Sequence, residues 1–336
     1  MTKLRRALFD TSVAIFVTVA VLVTASALWF RSAVYSDRSL PRVRTQIVIP
    51  RGATFNDVVG ILQSHDLLAH PIAFRILARM RANEEDVKAG EYAFDAGQTS
   101  DDILRKLVRG EDQVAVWVTI PEGFTAREIA QAFADRNLGS AAAYDAVFLH
   151  QGIALDGVQT PTLEGYLFPS TYLVPIDFTP DAAAKLLTAQ FRKELPADAD
   201  ARARSLGYTL PQIVTIASLV EREAKADDER ALMAGVYYNR LRLGMPLEVD
   251  ATIEYVFAQH HPVITQADLR IRSPYNTYLN RGLPPTPIAN PGKASLDAAF
   301  DPRPSDYLYY VYKGDGHHAF ARTLAEHNAN VERYLK

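Results

Sequence analysis

Nineteen consecutive residues near the start of the chain, Ser12 to Phe30 (SVAIFVTVAVLVTASALWF), carry no charge. A helix rises about 1.5 Å per residue, so the run spans roughly 28 Å, close to the apolar thickness of a bilayer. Lys3, Arg5, Arg6 and Asp10 precede it and Arg31 closes it. Trp29 and Phe30 sit at its end, where interfacial aromatics belong. The run therefore reads as a retained transmembrane anchor. A cleaved signal peptide is the competing reading, because Ala25-Ser26-Ala27 resembles an A-x-A cleavage site, yet the run is long for a signal-peptide core. Orientation is not fixed by charge. Three basic residues lie before the run, and Arg31, Arg38, Arg42 and Arg44 follow it. A tail of residues 1–11 cannot hold a domain, so the working part follows the anchor.

The 336 residues allow two domains, and 22% charged with 48% hydrophobic residues is the composition of an ordinary globular protein. With no cysteine there is no disulfide framework, no thiolate nucleophile and no Cys-ligated metal. A net charge of −3 argues against a nucleic-acid partner. His260-His261 and His317-His318 are adjacent pairs whose side chains tend to diverge, and no H-E-x-x-H occurs, so no metal or other cofactor is expected.

Residues 31–45, polar and Arg-rich with Pro41, read as a linker. A repeated pattern follows it, G-x-T-x-x-[DE]-[IV], at Gly52–Val58, Gly97–Ile103 and Gly123–Ile129. Leu62, Leu107 and Phe133 each lie ten residues after the glycine. Threonine is a good N-cap, and an acid three residues later makes a capping box and suits the helix dipole. β-rich runs precede the copies: Gln46–Pro50, Glu91–Phe94 and Val116–Pro121. Each unit is thus a strand, a glycine turn and a capped helix. The stretch VTIPEGFTAREIAQAF resembles the LysM module, a similarity that implies binding of N-acetylglucosamine-containing glycans across residues 46–160.

The segment Leu163–Tyr172, rich in aromatics and broken by Gly165 and Pro169, reads as a loop or short strand, and Asp181–Glu194 as a helix. From Pro211, which suits a first helical turn, a long helical pattern runs to Gly244, with the acids at 227–229 as its breaking point. On a helical wheel Ile213, Ile216, Ala217, Leu219 and Val220 form an apolar arc, with Thr215, Ser218 and Arg222 opposite. Glu221 and Glu223 stand on its two margins. Residues two apart do not face each other on a helix, so they cannot form one carboxylate pair. A carboxyl at an apolar edge is partly desolvated, which favours the neutral form that a glycosidase general acid requires. Periodicity does not choose between the two.

Loops dense in Tyr, Asn, Thr, Pro and Gly follow at Ser273–Tyr278 and Arg281–Gly292, and such loops suit sugar recognition. Ala217–Glu223, Glu229-Arg230, Asn239-Arg240-Leu241, Gly244–Leu247 and Asp250 resemble the YceG-like endolytic murein transglycosylases. So do Pro274–Tyr278, Gly282–Pro285, Asn290–Gly292, Tyr307–Tyr309 and Glu164–Pro169. The resemblance implies that the second Glu of V-E-x-E, here Glu223, is the acid. Glu164, Tyr166, Asn239, Asp250, Tyr275, Asn276, Thr277 and Tyr278 become the candidate substrate-binding residues. Ser170, Ala224 and Ala251 depart from the pattern, where Asp, Thr and Pro are usual.

The expected architecture is α+β: a cytoplasmic tail (1–11), a transmembrane helix (12–30), a linker (31–45), LysM-like βα units (46–160) and a mixed catalytic domain (161–336). The resemblance implies non-hydrolytic cleavage of the MurNAc–GlcNAc β-1,4 bond in peptidoglycan, leaving 1,6-anhydro ends, with Glu223 as single acid/base. It also implies an inner-membrane enzyme with a periplasmic catalytic part and peptidoglycan synthases as partners. A non-catalytic murein-binding scaffold would not require Glu223. A water-using muramidase would need a second carboxylate, for which Asp250 and Glu164 are the candidates.

Overall fold

The computed structural model describes residues 2–35, 43–155, 157–257 and 264–335. Residues 36–42 of the expected linker, with Pro41, and the His260-His261 pair lie outside the described residues. The fold is mixed α+β, and the chain divides into two compact units, Met1–Trp117 with Leu173–Ile176, and Val118–Tyr172 with Asp177–Lys336.

In the first unit α1 (Thr2–Tyr35) is followed by β1 (Thr45–Ile49), α2 (Phe55–Ser64), α3 (Pro71–Met80), β2 (Gly90–Phe94) and α4 (Ser100–Arg109). From Val13 to Tyr35, α1 is long and apolar enough to cross a membrane. Its far end is no longer free, because Ala33 and Val34 are buried with Val58, Leu62, Phe74, Leu77, Phe94 and Leu107. β1 pairs antiparallel with β2, which pairs with β3 (Gln113–Thr119), and the sheet order is completed by β6 (Thr171–Pro175). The division between the units falls inside β3 and β6.

All three repeated threonines form the capping boxes that their sequence implies. Thr54 with Asp57, Thr99 with Asp102, and Thr125 with Glu128 each bond reciprocally to the other's backbone amide. The interaction needs only neighbours three residues apart, which is why it is legible without tertiary knowledge.

The second unit contains α5 (Ala126–Ala134), α6 (Ala141–Phe148), the short strands β4 (Ala154–Leu155) and β5 (Val158–Gln159), α7 (Pro180–Glu194) and α8 (Ala199–Ser205). After these come α9 (Leu210–Glu223), α10 (Arg230–Arg242), α11 (Asp250–Val256), α12 (Lys293–Phe300), the hairpin β7 (Tyr309–Tyr312) and β8 (His318–Ala321), and α13 (Leu324–Tyr334). α9 and α10 are separate helices, parted by a 3-10 turn over Asp227–Glu229, where the acidic run places the break.

α9 is the central element, packed by α8, α10, α11 and α12. Thr215 and Ser218, the polar side of the wheel, are both buried. Their hydroxyls are satisfied internally: Thr215 donates to the carbonyl of Pro211, and Ser218 donates to that of Thr215 while accepting the amide of Ile288. A small hydroxyl residue with such partners enters a core at little cost, so the helix is surrounded rather than half-solvated.

Candidate active site

The last turn of α9 separates its two glutamates, as the two-residue spacing requires. Glu221 turns inward. Its Oε1 lies 3.3 Å from the guanidinium of Arg230, and its Oε2 accepts the Gly292 amide at 2.9 Å. Arg230 also donates to Asp227 at 2.9 Å and Ser295 at 2.5 Å. Glu221 is thus the anion of a shielded ion pair that joins α9, α10 and the start of α12.

Glu223 is half-buried and has different neighbours. The Tyr310 hydroxyl, from β7, donates to its Oε2 at 3.1 Å, and the Tyr237 hydroxyl, from α10, lies 3.0 Å from that of Tyr310. Burial pushes the Glu223 carboxyl up to about 6, and the negative charge of Asp250 adds to the shift. The Tyr310 hydroxyl and the Ala251 amide pull in the opposite direction, because both donate to the charged form. Burial also raises both phenols, with the Glu223 charge adding to each, so Tyr237 and Tyr310 remain protonated donors. Asp250 is exposed, and its Oδ1 accepts the Tyr278 hydroxyl at 2.5 Å.

The segment that delivers Asp250 is clamped by Arg240, which is 6% exposed. Its guanidinium donates to the carbonyls of Pro246 and Leu247 at 3.0 Å each, to the Glu248 carboxylate at 2.9 Å and to the carbonyl of Leu308 at 2.6 Å. Glu248 has φ +54°, left-handed backbone that a non-glycine residue adopts only where its surroundings enforce it. Thr277 supports the next turn: its hydroxyl accepts the Val249 amide at 3.0 Å and lies 3.0 Å from that of Thr252. Asn276 shapes the loop that carries Tyr278, with its amide on the carbonyls of Leu269 and Ile271 and its oxygen on the Tyr278 amide.

A second buried knot lies at the other end of α11. Glu164 is 1% exposed. Its oxygens accept the Ala126 amide at 2.9 and 3.1 Å, the Asn290 side-chain amide at 3.0 Å and the Tyr255 hydroxyl at 3.1 Å. Asn290 also accepts the Gly165 and Leu167 amides at 3.0 and 2.8 Å and donates to the carbonyl of Phe124 at 2.9 Å. Gly165, at φ +89°, can only be glycine, because a Cβ there would meet Pro287 at 2.4 Å. Burial, acting against these donors, pushes the Glu164 carboxyl up to about 8.

Of the residues expected to form the site, Glu223, Asp250 and Tyr278 therefore come together, with Asn276 and Thr277 buried behind them. Tyr275 pairs its hydroxyl with Thr286 at 2.8 Å and sets its ring 4.9 Å from that of Tyr255. Tyr166 is in the core, edge-on to Phe191, and Asn239 donates to the carbonyls of Ser305 and Tyr307. Of the second histidine pair, His318 bonds through Nδ1 to the Glu229 carboxylate at 3.0 Å, while His317 faces Asp228 and Asp315. Tyr310 and Tyr237 are absent from the residues that the sequence pointed to, and Arg240 entered only as part of the Asn239-Arg240-Leu241 motif, with no role. Tyr310 lies 87 residues from the carboxyl it touches, and no local pattern links the two.

The second unit is, by fold and site, a mixed α+β scaffold that presents one perturbed glutamate at the end of its central helix. The profile of the YceG-like family matches residues 47–333, and the chain belongs to that family. An endolytic murein transglycosylase of Bacillus subtilis is 33% identical over 313 residues, 88% of this chain and 86% of that protein. Another, of Streptococcus pneumoniae, is 31% identical over 320 residues, covering 85% of this chain and 58% of its own length. The crystal structure of a YceG-like protein from Listeria monocytogenes has a TM-score of 0.61 at 28% identity, covering 86% of this chain and 99% of that one.

Glu164 generates a stability prediction. Its folded value of about 8 lies above the ordinary 4.5. The folded chain therefore holds a proton that the unfolded chain has released across that interval. The contribution is full below about pH 4.5 and is lost as pH rises through 8. Urea midpoints should fall across this range, and Glu164→Gln, which needs no proton, should flatten that part of the slope. An unchanged slope in the variant would show that Glu164 does not carry it.

Proposed function

We propose that this chain is a lytic transglycosylase, anchored in the cell inner membrane by α1, that cleaves the MurNAc–GlcNAc β-1,4 bond within nascent murein strands. The enzyme class rests on relatives that bear the name endolytic murein transglycosylase at 31–33% identity over most of the chain. The observation that carries the chemistry is Glu223, half-buried, with a carboxyl pushed up to about 6 and Asp250 beside it. Murein lies outside the inner membrane, so the chain after α1 belongs in the periplasm. The G-x-T-x-x-acid units would position glycan, and peptidoglycan synthases are the partners that such a substrate implies.

The steps balance with one acid/base. Glu223, protonated, gives its proton to the glycosidic oxygen as the bond from that oxygen to MurNAc C1 breaks. The carboxylate left behind takes the proton of the MurNAc 6-hydroxyl as O6 bonds to C1. The 1,6-anhydro ring closes, Glu223 is again protonated, and no water is consumed. Asp250 and Tyr278 would face the sugar around this point, Asp250 favouring the protonated form of Glu223 and the positive charge that develops at C1. Asp250 also favours a second reading, a water-using muramidase in which it activates the nucleophile.

Three outcomes follow on purified murein strands. Glu223→Gln should lower the cleavage rate about 10²–10⁴-fold without a matching loss of thermal stability. Glu221→Gln should lower the melting temperature, because Arg230 loses its shielded counter-charge and keeps only the exposed Asp227, while the folded fraction keeps cleaving. The rate should fall as pH rises through about 6, where Glu223 loses its proton. Near-wild-type cleavage by Glu223→Gln would remove it from the chemistry. Topology has its own check: a reporter fused after Lys336 should be active only outside the cytoplasm, and cytoplasmic activity would contradict the proposed orientation.

A further inference from the structure

Resting on the reading of Glu223 as the acid/base, we infer that Tyr237 and Tyr310 form a one-way hydrogen-bond chain that keeps the acid proton on Oε1 of Glu223, with Tyr310 and Tyr237 as positioning residues.

Direction in this chain is set at its buried end. Tyr237 is fully buried, and among the described residues its hydroxyl has one hydrogen-bond partner, the hydroxyl of Tyr310 at 3.0 Å. A hydroxyl carries one hydrogen. If Tyr310 donated to Tyr237, the Tyr237 hydrogen would be left buried without an acceptor, an arrangement that folded proteins avoid. Tyr237 therefore donates to Tyr310. The Tyr310 hydrogen is then free for its other neighbour, Oε2 of Glu223 at 3.1 Å. Both phenols resist ionisation, so the order of donors persists across the working range of the carboxyl.

The consequence falls on the two oxygens of the carboxyl. Oε2 accepts from Tyr310 whether Glu223 is charged or neutral, and a carbonyl oxygen accepts more strongly than a protonated one, so the Tyr310 hydrogen favours the carboxyl that carries its proton on the other oxygen. The proton sits on Oε1. The same atom then delivers it to the glycosidic oxygen and reclaims one from the 6-hydroxyl, with no rotation of the carboxyl between the two steps. Neither tyrosine exchanges a proton with the sugar. The ring contacts hold the geometry: Tyr310 stands edge-on to Tyr237 at 6.3 Å and to His318 at 5.6 Å, and phenylalanine preserves both.

The test uses the full-length protein in detergent, with purified glycan strands as substrate. Tyr310→Phe should lower kcat by roughly tenfold to a hundredfold, the range for a hydrogen bond to a charged group, with KM little changed. Its pH profile should move upward, because a donor that favoured the ionised form is gone. Tyr237→Phe should shift both quantities the same way by less. The double variant should match Tyr310→Phe alone, because Tyr237 acts only through Tyr310. A wild-type kcat and pH profile for Tyr310→Phe would overturn the inference, and so would losses that multiply in the double variant. Should Tyr310→Phe fail to fold, Tyr237→Phe carries the test by itself: an upward profile supports the chain, and an unmoved one removes it. Failure of the underlying reading looks different, since Glu223→Gln would then still cleave.

Discussion

The second unit depends on one buried carboxyl that is held by hydrogen bonds. Glu164 takes hydrogen bonds from the start of α5, from Asn290 and from Tyr255 on α11, while Asn290 gathers the Gly165–Leu167 turn and the Phe124 carbonyl. Four segments distant in sequence are thereby fixed through two side chains. The knot secures the far part of α11, and the Arg240 clamp with Thr277 secures its start. Between them they set Asp250 and the Ala251 amide against Glu223. The perturbed acid is thus the result of how α11 is held at both ends as much as of α9.

Opposed influences meet at Glu223, and their balance sets its value. Burial and Asp250 favour the neutral form, and Tyr310 and Ala251 favour the charged one. With the first pair alone the carboxyl would hold its proton too tightly to act as a base. With the second pair alone it would be ionised before it could act as an acid. Glu221, two residues earlier, shows the alternative fate of the same side chain: shielded and paired with Arg230, it is committed to structure.

Features that depend on near neighbours were legible in the sequence. The three capping boxes, the strand before each of them, the break at Asp227–Glu229 and the apolar first helix all follow from residues within a turn or two of one another. Periodicity did not separate Glu221 from Glu223, and only the family resemblance pointed to Glu223, because the contacts that distinguish the two, Gly292 and Tyr310, lie 71 and 87 residues away. Composition also misses direction. Tyr166, Asn276 and Thr277 are of types that suit a sugar as well as a buried backbone amide, and the structure uses all three inside the fold. Tyr310 carried no local signal in the YYVY strand.

In the proposed reaction one carboxyl serves both proton transfers and water takes no part. Mass analysis of the ends released by the intact enzyme from purified murein tests it most directly. The expected products are 1,6-anhydro-MurNAc ends, lighter by one water than reducing ends. Reducing ends in their place would contradict it, and would turn attention to Asp250 as the group that activates water.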